Sequence, residues 1–274
     1  FNTVLYTGDI VDGDGTGHDQ SITGIGFQPD WLWHKGRSHA RQHIWVDSVR
    51  GTGGSPTQML GISSQDANAE VSANTNGFIE SIDSDGFTVT SGNDSSSKSN
   101  NAGANTNTYV AWGWKAGTTI SSTSTSGSGT AKTYTGSVST TAGFSIIRYV
   151  GNQTAGHTIP HHLGAKPDAI LVKHLGDGQQ WATQWSPLGA TKVMRFATTN
   201  AVSDSNTRWN DTEPTTSVFT LGTEHEGNTN DGNHIAYCFT SIKGYSKIGS
   251  YTGNGNANGT FVHTGFKPAW LIVK

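Results

Sequence analysis

The residues best suited to chemistry in this sequence lie in a glycine-rich acidic loop, which reads Asp-Gly-Asp-Gly-Thr-Gly-His-Asp from position 12 to position 19. Clustered carboxylate oxygens in a flexible loop are the ligands that Ca²⁺ prefers. The loop lacks the terminal Glu and the ligand spacing of an EF-hand. Two interpretations therefore stay open: a solvated hairpin loop without a metal, or a calcium site formed by Asp12, Asp14 and Asp19. No other cofactor is indicated.

The histidines give a weaker indication of a metal site. His39 and His43 are four residues apart, and His157, His161 and His162 form a second group. A four-residue spacing brings two ligands together on a helix, whereas both groups lie in sequence typical of strands and loops. We therefore predict no histidine metal site, and we expect His161 and His162 to lie in an exposed turn.

Two carboxylate pairs, Asp83 with Asp85 and Glu224 with Glu226, have the residue types that glycoside hydrolysis uses. A glycosidase needs two carboxylates flanking one sugar bond, with the pKa of one raised by burial. Both pairs adjoin turn residues and are predicted to be exposed, which favours solvated loops over catalysis. The sequence also contains no Gly-x-Ser-x-Gly elbow and no phosphate-binding loop. We expect a protein that is not an enzyme, and a glycan depolymerase is the least favoured hypothesis.

The elements that must position these residues are marked by a seven-residue block that occurs three times. Each copy begins with Pro, ends with Lys and has three apolar residues at its centre: Pro29–Lys35, Pro167–Lys173 and Pro268–Lys274. Since Pro cannot donate a ladder hydrogen bond, it suits the first position of a strand. Adjacent apolar residues point to opposite faces of a strand, so the block predicts a strand that is covered on both sides.

Matching phrases around the blocks divide the chain into repeats. Residues 1–117 are predicted to form a first β-sandwich repeat and residues 144–243 a second. Residues 118–143, rich in Ser, Thr and Gly, are predicted to be a linker, with a short strand near 133–138. Residues 244–274 provide the opening strands of a truncated third repeat. Because these strands alone would expose apolar residues, we expect further chain or another subunit to complete them.

The fold expected for each repeat is an antiparallel β-sandwich, and the chain is expected to be all-β. Charged residues make up 14% of the chain, against about 25% in typical proteins. Short runs of apolar residues separated by turn residues, without an amphipathic helix, are typical of sandwiches.

The closing strand of the first repeat, residues 109–114, alternates large and small side chains. Its large face, with Val110, Trp112 and Trp114, is predicted to line the core. Its small face, with Ala111 and Gly113, is predicted to lie under a closely packed neighbour.

Tryptophans that are exposed would indicate carbohydrate binding, because an indole ring offers a flat apolar surface to a sugar. Trp31 is replaced by Ala169 in the second block, and Trp33 is replaced there by Leu171. Interchange with aliphatic residues indicates packing, so Trp31 and Trp33 are predicted to be buried.

The remaining tryptophans divide into two groups. Trp45 is matched to Trp185 with an offset of two residues and is predicted to be buried as well. Trp181 and Trp209 have no counterpart in the first repeat and adjoin loops. These two are the candidate ligand-binding residues.

Composition excludes several kinds of partner. The net charge is −3 and no basic patch is present, so no nucleic acid partner is expected. No run approaches 18 apolar residues, so no membrane insertion is expected. Cys238 is the single cysteine, which excludes an intrachain disulfide.

Six phrases together resemble an uncharacterised repeat domain of tailed phages of aquatic bacteria, where such units stand in tandem in large virion proteins. The phrases are Phe1-Asn-Thr-Val-Leu-Tyr-Thr-Gly8, Gly26-Phe-Gln-Pro-Asp-Trp-Leu-Trp-His-Lys35, Asp47-Ser-Val-Arg-Gly-Thr-Gly53, Asp85-Gly-Phe-Thr-Val89, Thr108-Tyr-Val-Ala-Trp-Gly-Trp-Lys-Ala-Gly117 and Gly244-Tyr-Ser-Lys-Ile-Gly-Ser-Tyr-Thr-Gly-Asn254. The resemblance covers nearly the whole chain apart from the linker, although the second repeat lacks the Asp-Ser-Val-Arg-Gly phrase.

The resemblance implies a jelly-roll sandwich similar to lectin-like or laminin-G-like domains, without catalytic residues. It also implies a virion or extracellular location, in a tail fibre, spike or head decoration. The expected partners are other virion proteins or copies of the chain itself. The alternative hypothesis is a carbohydrate-binding adhesin that recognises host surface glycans.

Overall fold

A computed structural model shows that the protein is all-β. The structure describes residues 1–10, 18–54, 57–71, 77–90 and 106–274. Its strands form several antiparallel sheets, an arrangement consistent with a β-sandwich. The chain divides into two compact units: unit 1 is Phe1–Thr118 with Leu175–Gln180, and unit 2 is Thr119–His174 with Trp181–Lys274. Among the residues described, no helix has the length and apolar character that crossing a bilayer demands.

The strands described in unit 1 form three sheets, with the orders β1-β10-β3-β4-β7, β2-β9-β8 and β5-β6. Their bounds are β1 (Asn2–Thr7), β2 (Asp19–Thr23), β3 (Trp31–Gly36), β4 (Ile44–Asp47), β5 (Thr52–Gly53), β6 (Gln58–Met59), β7 (Gly61–Ser63), β8 (Phe78–Asp83), β9 (Gly86–Thr90) and β10 (Thr108–Trp114).

Unit 2 has a sheet with the order β11-β13-β14-β21-β16-β17-β18-β19 and a second sheet with the order β12-β15-β20. The bounds are β11 (Thr118–Ser124), β12 (Ser126–Gly127), β13 (Thr133–Ser139), β14 (Phe144–Val150), β15 (His157–Pro160), β16 (Ala169–His174), β17 (Ala182–Trp185), β18 (Lys192–Arg195), β19 (Ser203–Asp204), α1 (Asn206–Trp209), β20 (Val218–Leu221), α2 (His225–Asn228) and β21 (Asn233–Phe239).

The core of unit 1 lies between two of its sheets. Leu32 of β3 and Ala111 of β10 contribute from one sheet, and Phe87 and Val89 of β9 contribute from the other. All four side chains are fully buried. Burying one large apolar side chain stabilises the fold by about 1.5–3 kcal/mol, so this alternation along the strands holds the two sheets together.

Both faces of the closing strand β10 are buried. Val110 and Trp114 on the large face are each 7% exposed, as predicted, and the ring of Trp114 lies 4.3 Å from that of Trp31. Ala111 on the small face belongs to the cluster that lies between the two sheets. The neighbour expected over the small face is present, because a Cβ added at Gly113 would lie 3.3 Å from Cδ1 of Ile25. Small side chains on the central strand leave room for the facing sheet, and the aromatic residues pack against one another on the opposite, buried face.

The five-strand order of unit 1 recurs in unit 2, where β14-β21-β16-β17-β18 occupy the places of β1-β10-β3-β4-β7. The register agrees as well. Trp112 of β10 lies opposite Trp33, and Tyr237 of β21 lies opposite Leu171. The first two blocks therefore hold the same position beside the closing strand of their units.

Register also corrects the match of Trp45 to Trp185. Trp45 lies opposite Trp33, whereas the residue opposite Leu171 is Thr183. Trp185 lies two residues further along its strand. Trp45 is fully buried, as predicted, together with Trp31 and Trp33.

The segment predicted to be a linker, residues 118–143, contains the three strands β11 to β13. β13 pairs with β14 from Tyr134 to Ser139, which confirms the short strand expected near 133–138. Tyr134 is 5% exposed and packs in the core of unit 2, and Ile120 packs against that core. Backbone pairing to β14 orders this polar segment, which its composition alone did not predict.

Candidate functional site

The acidic loop lies mostly outside the described residues, since Asp12 and Asp14 fall in the range 11–17. Asp19 is described: it is exposed at the first position of β2, opposite Thr90 of β9. Within the described ranges, no three His, Cys, Asp or Glu side chains converge as a metal site requires. The calcium site therefore stays a prediction.

Trp181 and Trp209, the candidate ligand-binding residues, are 0% and 1% exposed. The ring of Trp181 lies 6.2 Å from that of Phe196 and 6.4 Å from that of Tyr237, and Trp209 lies 6.4 Å from Phe219. The expected exposure is wrong, because both indoles pack against aromatic residues inside unit 2. A carbohydrate-binding function would need other residues in this conformation.

The first carboxylate pair holds a turn together. Asp83 accepts hydrogen bonds from two hydroxyl groups, at 2.8 and 2.7 Å. Asp85 accepts the backbone N–H of Gly24 at 3.2 Å and that of Gly26 at 2.5 Å. Both carboxylates therefore have structural partners on neighbouring strands and turns.

The second pair is not exposed as predicted, since Glu226 is 6% exposed. Its carboxylate forms ion pairs with Arg208 and, at 3.3 Å, with Arg195. Glu224 accepts the hydroxyl of Thr207 at 2.8 Å. Burial lowers the pKa of Arg208 to about 10, which leaves the guanidinium charged and able to neutralise the buried Glu226 at neutral pH.

The histidines of unit 1 are held by hydrogen bonds to aromatic residues. Nδ1 of His43 accepts from Nε1 of Trp33 at 2.7 Å, and Nε2 of His34 lies 2.7 Å from the hydroxyl of Tyr6. Burial lowers the pKa of His43 to about 4 and that of His34 to about 3. Both rings are therefore neutral at physiological pH.

The histidine group of unit 2 is not an exposed turn throughout, because His157 and His161 are both 0% exposed while His162 is exposed. Burial lowers the pKa of His161 to about 4. Nδ1 of His161 accepts the backbone N–H of Leu163 at 3.2 Å, so this histidine shapes the turn from inside.

Thr125, His157 and Asn228 form a chain of hydrogen bonds that sequence reasoning missed. The amide nitrogen of Asn228 donates to two backbone carbonyls, at 3.1 and 2.7 Å, so its Oδ1 is the acceptor. His157 therefore carries its proton on Nδ1, which donates to that Oδ1 at 3.0 Å. Nε2 is left to accept the hydroxyl of Thr125 at 2.7 Å.

This chain has the order of a nucleophile, a base and an orienting group. All three residues are nevertheless buried, with Thr125 3% exposed and Asn228 1%. Oγ1 of Thr125 also accepts the backbone N–H of Lys132 at 2.8 Å, which fixes the hydroxyl. The arrangement ties the segment before β13 to α2, and its burial keeps a substrate away from the hydroxyl.

A shallow depression of about 180 Å³ lies over β13 and β14, with Thr133, Arg148 and Asn233 among its lining residues. Ligand pockets usually enclose about 300–1,000 Å³ and contain several converging polar groups. The depression is therefore a poor candidate for a small-molecule site.

The C-terminal segment, residues 244–274, contains the third block and differs from the other two copies. Residues 247–274 all lie in the described part of the chain, and none of them forms a strand. Leu271 is 71% exposed, whereas its counterparts in the first two blocks, Leu32 and Ile170, are 0% and 1% exposed. Val273 is 67% exposed, and its counterpart Val172 is fully buried.

An aspartate that anchors the first two blocks is absent from the third. Asp30 accepts the backbone N–H groups of Ala116 and Gly117, both at 2.9 Å, and so joins the start of β3 to the end of β10. Asp168 accepts the N–H of Ser241 at 2.8 Å in unit 2. The third block has Ala269 at this position.

The opening phrase of the third repeat is also exposed. Tyr149, at the end of β14, is 1% exposed and donates its hydroxyl to the carbonyl of Gly227 at 2.6 Å. Its counterpart Tyr251 is 53% exposed. The C-terminal segment thus presents apolar side chains whose counterparts in the first two blocks and in β14 are buried.

Residues 1–274 match a protein family described as "Domain of unknown function (DUF7483)". No curated protein and no solved structure matches the chain.

Proposed function

The chain belongs to the DUF7483 family over its whole length, and from this premise we propose that it is a non-enzymatic structural protein of a tailed-phage virion. In this proposal tandem β-sandwich repeats of the jelly-roll type, similar to lectin-like or laminin-G-like domains, build a tail fibre, a spike or a head decoration. The partners are other virion proteins or further repeats of the same kind.

The observation that carries the proposal is the strand order that units 1 and 2 share. Five strands follow one another in the same spatial order, and the block and closing strands pair in the same register. Repeated sandwich units in one chain suit a structural protein that is assembled from similar modules.

The candidate catalytic groups support a scaffold over an enzyme. The carboxylates of Asp83, Asp85 and Glu226 are engaged with hydroxyl groups, backbone N–H groups and arginines. The hydroxyl of Thr125 is buried, since this residue is 3% exposed. The sequence resemblance to repeats of phage virion proteins supplies the location.

The proposal is tested by mass spectrometry of purified phage particles whose genome encodes the chain. We expect tryptic peptides of the chain among the virion proteins, and antibodies against it should label a fixed position on the particle by immunogold electron microscopy. Intact, infectious particles that lack these peptides, with the protein found only in the lysate, would overturn the proposal.

A further inference from the structure

The shallow depression over β13 and β14 contains an arginine that has no acidic partner. Arg148 of β14 is partly buried and lines the depression. The other arginines that are at least partly buried each form an ion pair with a carboxylate: Arg50, Arg195 and Arg208. Within the described ranges, the guanidinium of Arg148 forms no ion pair and donates no hydrogen bond. A charged group that is partly removed from water without a partner favours the binding of an anion.

Polar side chains flank Arg148 on the same face of the sheet. Thr135 lies directly opposite Arg148 in the register of β13 and β14, and Thr133 lies two residues earlier on β13. Asn233 lies opposite Val150, which is two residues after Arg148 on β14. Among the residues described, the side chains of Thr133, Thr135 and Asn233 form no hydrogen bond. Two hydroxyl groups and one amide are therefore available to a ligand beside the guanidinium.

The packing of the sheet does not explain an arginine at this position. Arg148 lies opposite Ile235 of β21, as Leu5 of β1 lies opposite Val110 of β10. Leu5 is 60% exposed, so the same strand position in unit 1 needs no charge.

The acidic residue that precedes β21 is engaged elsewhere. Asp231 lies two residues before Asn233 and forms an ion pair with Lys132 at 2.5 Å. This pairing neutralises the carboxylate that is closest along the chain to the depression. The guanidinium of Arg148 is thereby left to an external anion.

We propose that the depression binds the carboxylate of one uronic acid unit in an acidic polysaccharide. Arg148 donates to both carboxylate oxygens, a geometry for which the planar guanidinium is suited. Thr133, Thr135 and Asn233 form hydrogen bonds with the hydroxyl groups of the same sugar. The volume of about 180 Å³ is too small for a whole ligand of drug size, but only one unit of a polymer needs to enter. This assignment goes beyond the proposed scaffold function and places glycan recognition away from the two buried tryptophans.

An acidic peptide fits the depression less well than a sugar. β13 is paired with β11 and β14, and β14 is paired with β13 and β21, so no strand edge is open for the main chain of a peptide. Recognition therefore depends on the side chains. Hydroxyl and amide groups both donate and accept hydrogen bonds, as the hydroxyl groups of a sugar ring do.

Isothermal titration calorimetry of the chain of residues 1–274 tests the proposal. The ligands are short oligomers of galacturonate, mannuronate and guluronate. Each has a matched control in its methyl ester, which keeps the ring hydroxyl groups and lacks the charge. We expect at least one acidic oligomer to bind, with an affinity that falls as salt is added, and its ester to bind at least about tenfold more weakly.

Three variants locate the binding site. Arg148→Gln should weaken binding at least about tenfold and keep the thermal stability of the parent chain, because Arg148 makes no hydrogen bond that the variant would lose. Thr135→Val keeps the charge and the shape of the side chain but removes a hydroxyl group, and it should weaken binding about three- to tenfold. Arg37→Gln is the matched control, since Arg37 is exposed in unit 1, and it should leave the affinity unchanged.

The proposal is overturned if none of the three acidic oligomers binds, or if an acidic oligomer and its ester bind equally well. Parental affinity in Arg148→Gln or in Thr135→Val would also overturn it. Equal binding of a glutamate oligomer would replace the sugar with an acidic peptide as the ligand. Failure of this test leaves the virion proposal standing, because the protein content of purified particles decides that proposal independently.

Discussion

Asp168 repeats in unit 2 two of the hydrogen bonds that Asp30 makes in unit 1. Oδ2 of Asp30 lies 2.9 Å from the backbone nitrogen of Ala116, and Oδ2 of Asp168 lies 2.8 Å from that of Ser241. Oδ1 of each carboxylate accepts a serine hydroxyl, at 2.9 Å for Asp30 and 3.0 Å for Asp168. In each unit one aspartate thus joins three elements. It links the start of the strand formed by the block (β3 or β16) to the end of the closing strand (β10 or β21) and to the turn after the following strand (β4 or β17).

Replacing either anchor with alanine should destabilise its own unit. Hydrogen bonds to a charged group contribute about 1.5–3 kcal/mol each and are not additive, so we expect Asp30→Ala and Asp168→Ala to lower the free energy of unfolding by about 2–3 kcal/mol. Chemical denaturation measures the change. Ala269→Asp is the matched control and should have no effect, because no strand of the described residues pairs with the third block. Wild-type stability of both alanine variants would refute the anchoring role.

Trp181 and Trp209 should behave as core residues. Truncation of a buried tryptophan to alanine typically costs about 3–5 kcal/mol, so we expect Trp181→Ala and Trp209→Ala to unfold at lower denaturant concentration. Phenylalanine at either position should restore part of the loss because it refills most of the space. A glycan-binding defect in a Trp→Ala variant of unchanged stability would contradict this assignment.

His34 should make unit 1 sensitive to acid. Burial lowers the pKa of His34 to about 3, whereas the imidazole of an unfolded chain titrates near 6.5. Between these values the unfolded state binds the extra proton, so the free energy of unfolding falls as the pH drops through 6.5 toward 3. At pH 4.5 the contribution of His34 to this loss is about 2–3 kcal/mol.

The His34→Gln variant isolates this contribution. Gln keeps a polar group near the hydroxyl of Tyr6 but does not titrate, so the difference in stability between pH 7 and pH 4.5 should shrink by about 2–3 kcal/mol. His263→Gln, at an exposed position, is the control and should retain the parental difference. The same pH dependence in His34→Gln and the parent would exclude His34 as the source.

Cys238 should be inert in the folded protein. Its thiol is fully buried in β21, and burial raises its pKa to about 12. The thiolate is the reactive species, so a chromogenic disulfide reagent at pH 8 should label the native chain very slowly and the denatured chain at once. Fast labelling of the native chain would show that β21 is accessible, contrary to its central position in the sheet.

Much of the strand order could be predicted from the sequence because repetition provides internal controls. The blocks and closing strands recur with apolar residues at fixed positions, and pairing in the same register follows from that pattern. The faces of β10 could not be assigned in this way. The alternation of large and small residues places Ala111 and Trp114 on opposite sides of β10. It does not reveal which of these two residues points toward another sheet.

The ordered segment 118–143 and the burial of Trp181 and Trp209 were missed for a different reason. β11 and β13 are rich in Ser and Thr. Backbone pairing of β13 to β14, and of β11 to β13, orders them without a strong apolar pattern. The two tryptophans are covered by residues distant in sequence, such as Tyr237 over Trp181. Only the tertiary fold brings such residues together. The exposure of Leu271 and Ile272 in the third block, in contrast, was predicted, whereas Trp270 is half-buried.

The tryptophans that share one buried face of β3 and β4 also give unit 1 an optical signature. The rings of Trp31 and Trp45 are 4.8 Å apart, and those of Trp33 and Trp45 are 4.9 Å apart. Indoles held this close and at fixed angles couple their electronic transitions, which produces a strong circular dichroism signal that vanishes when the rings separate. Melting of unit 1 can therefore be followed without an added dye. Unfolding of unit 2 can be followed separately, through the reactivity of the thiol of Cys238.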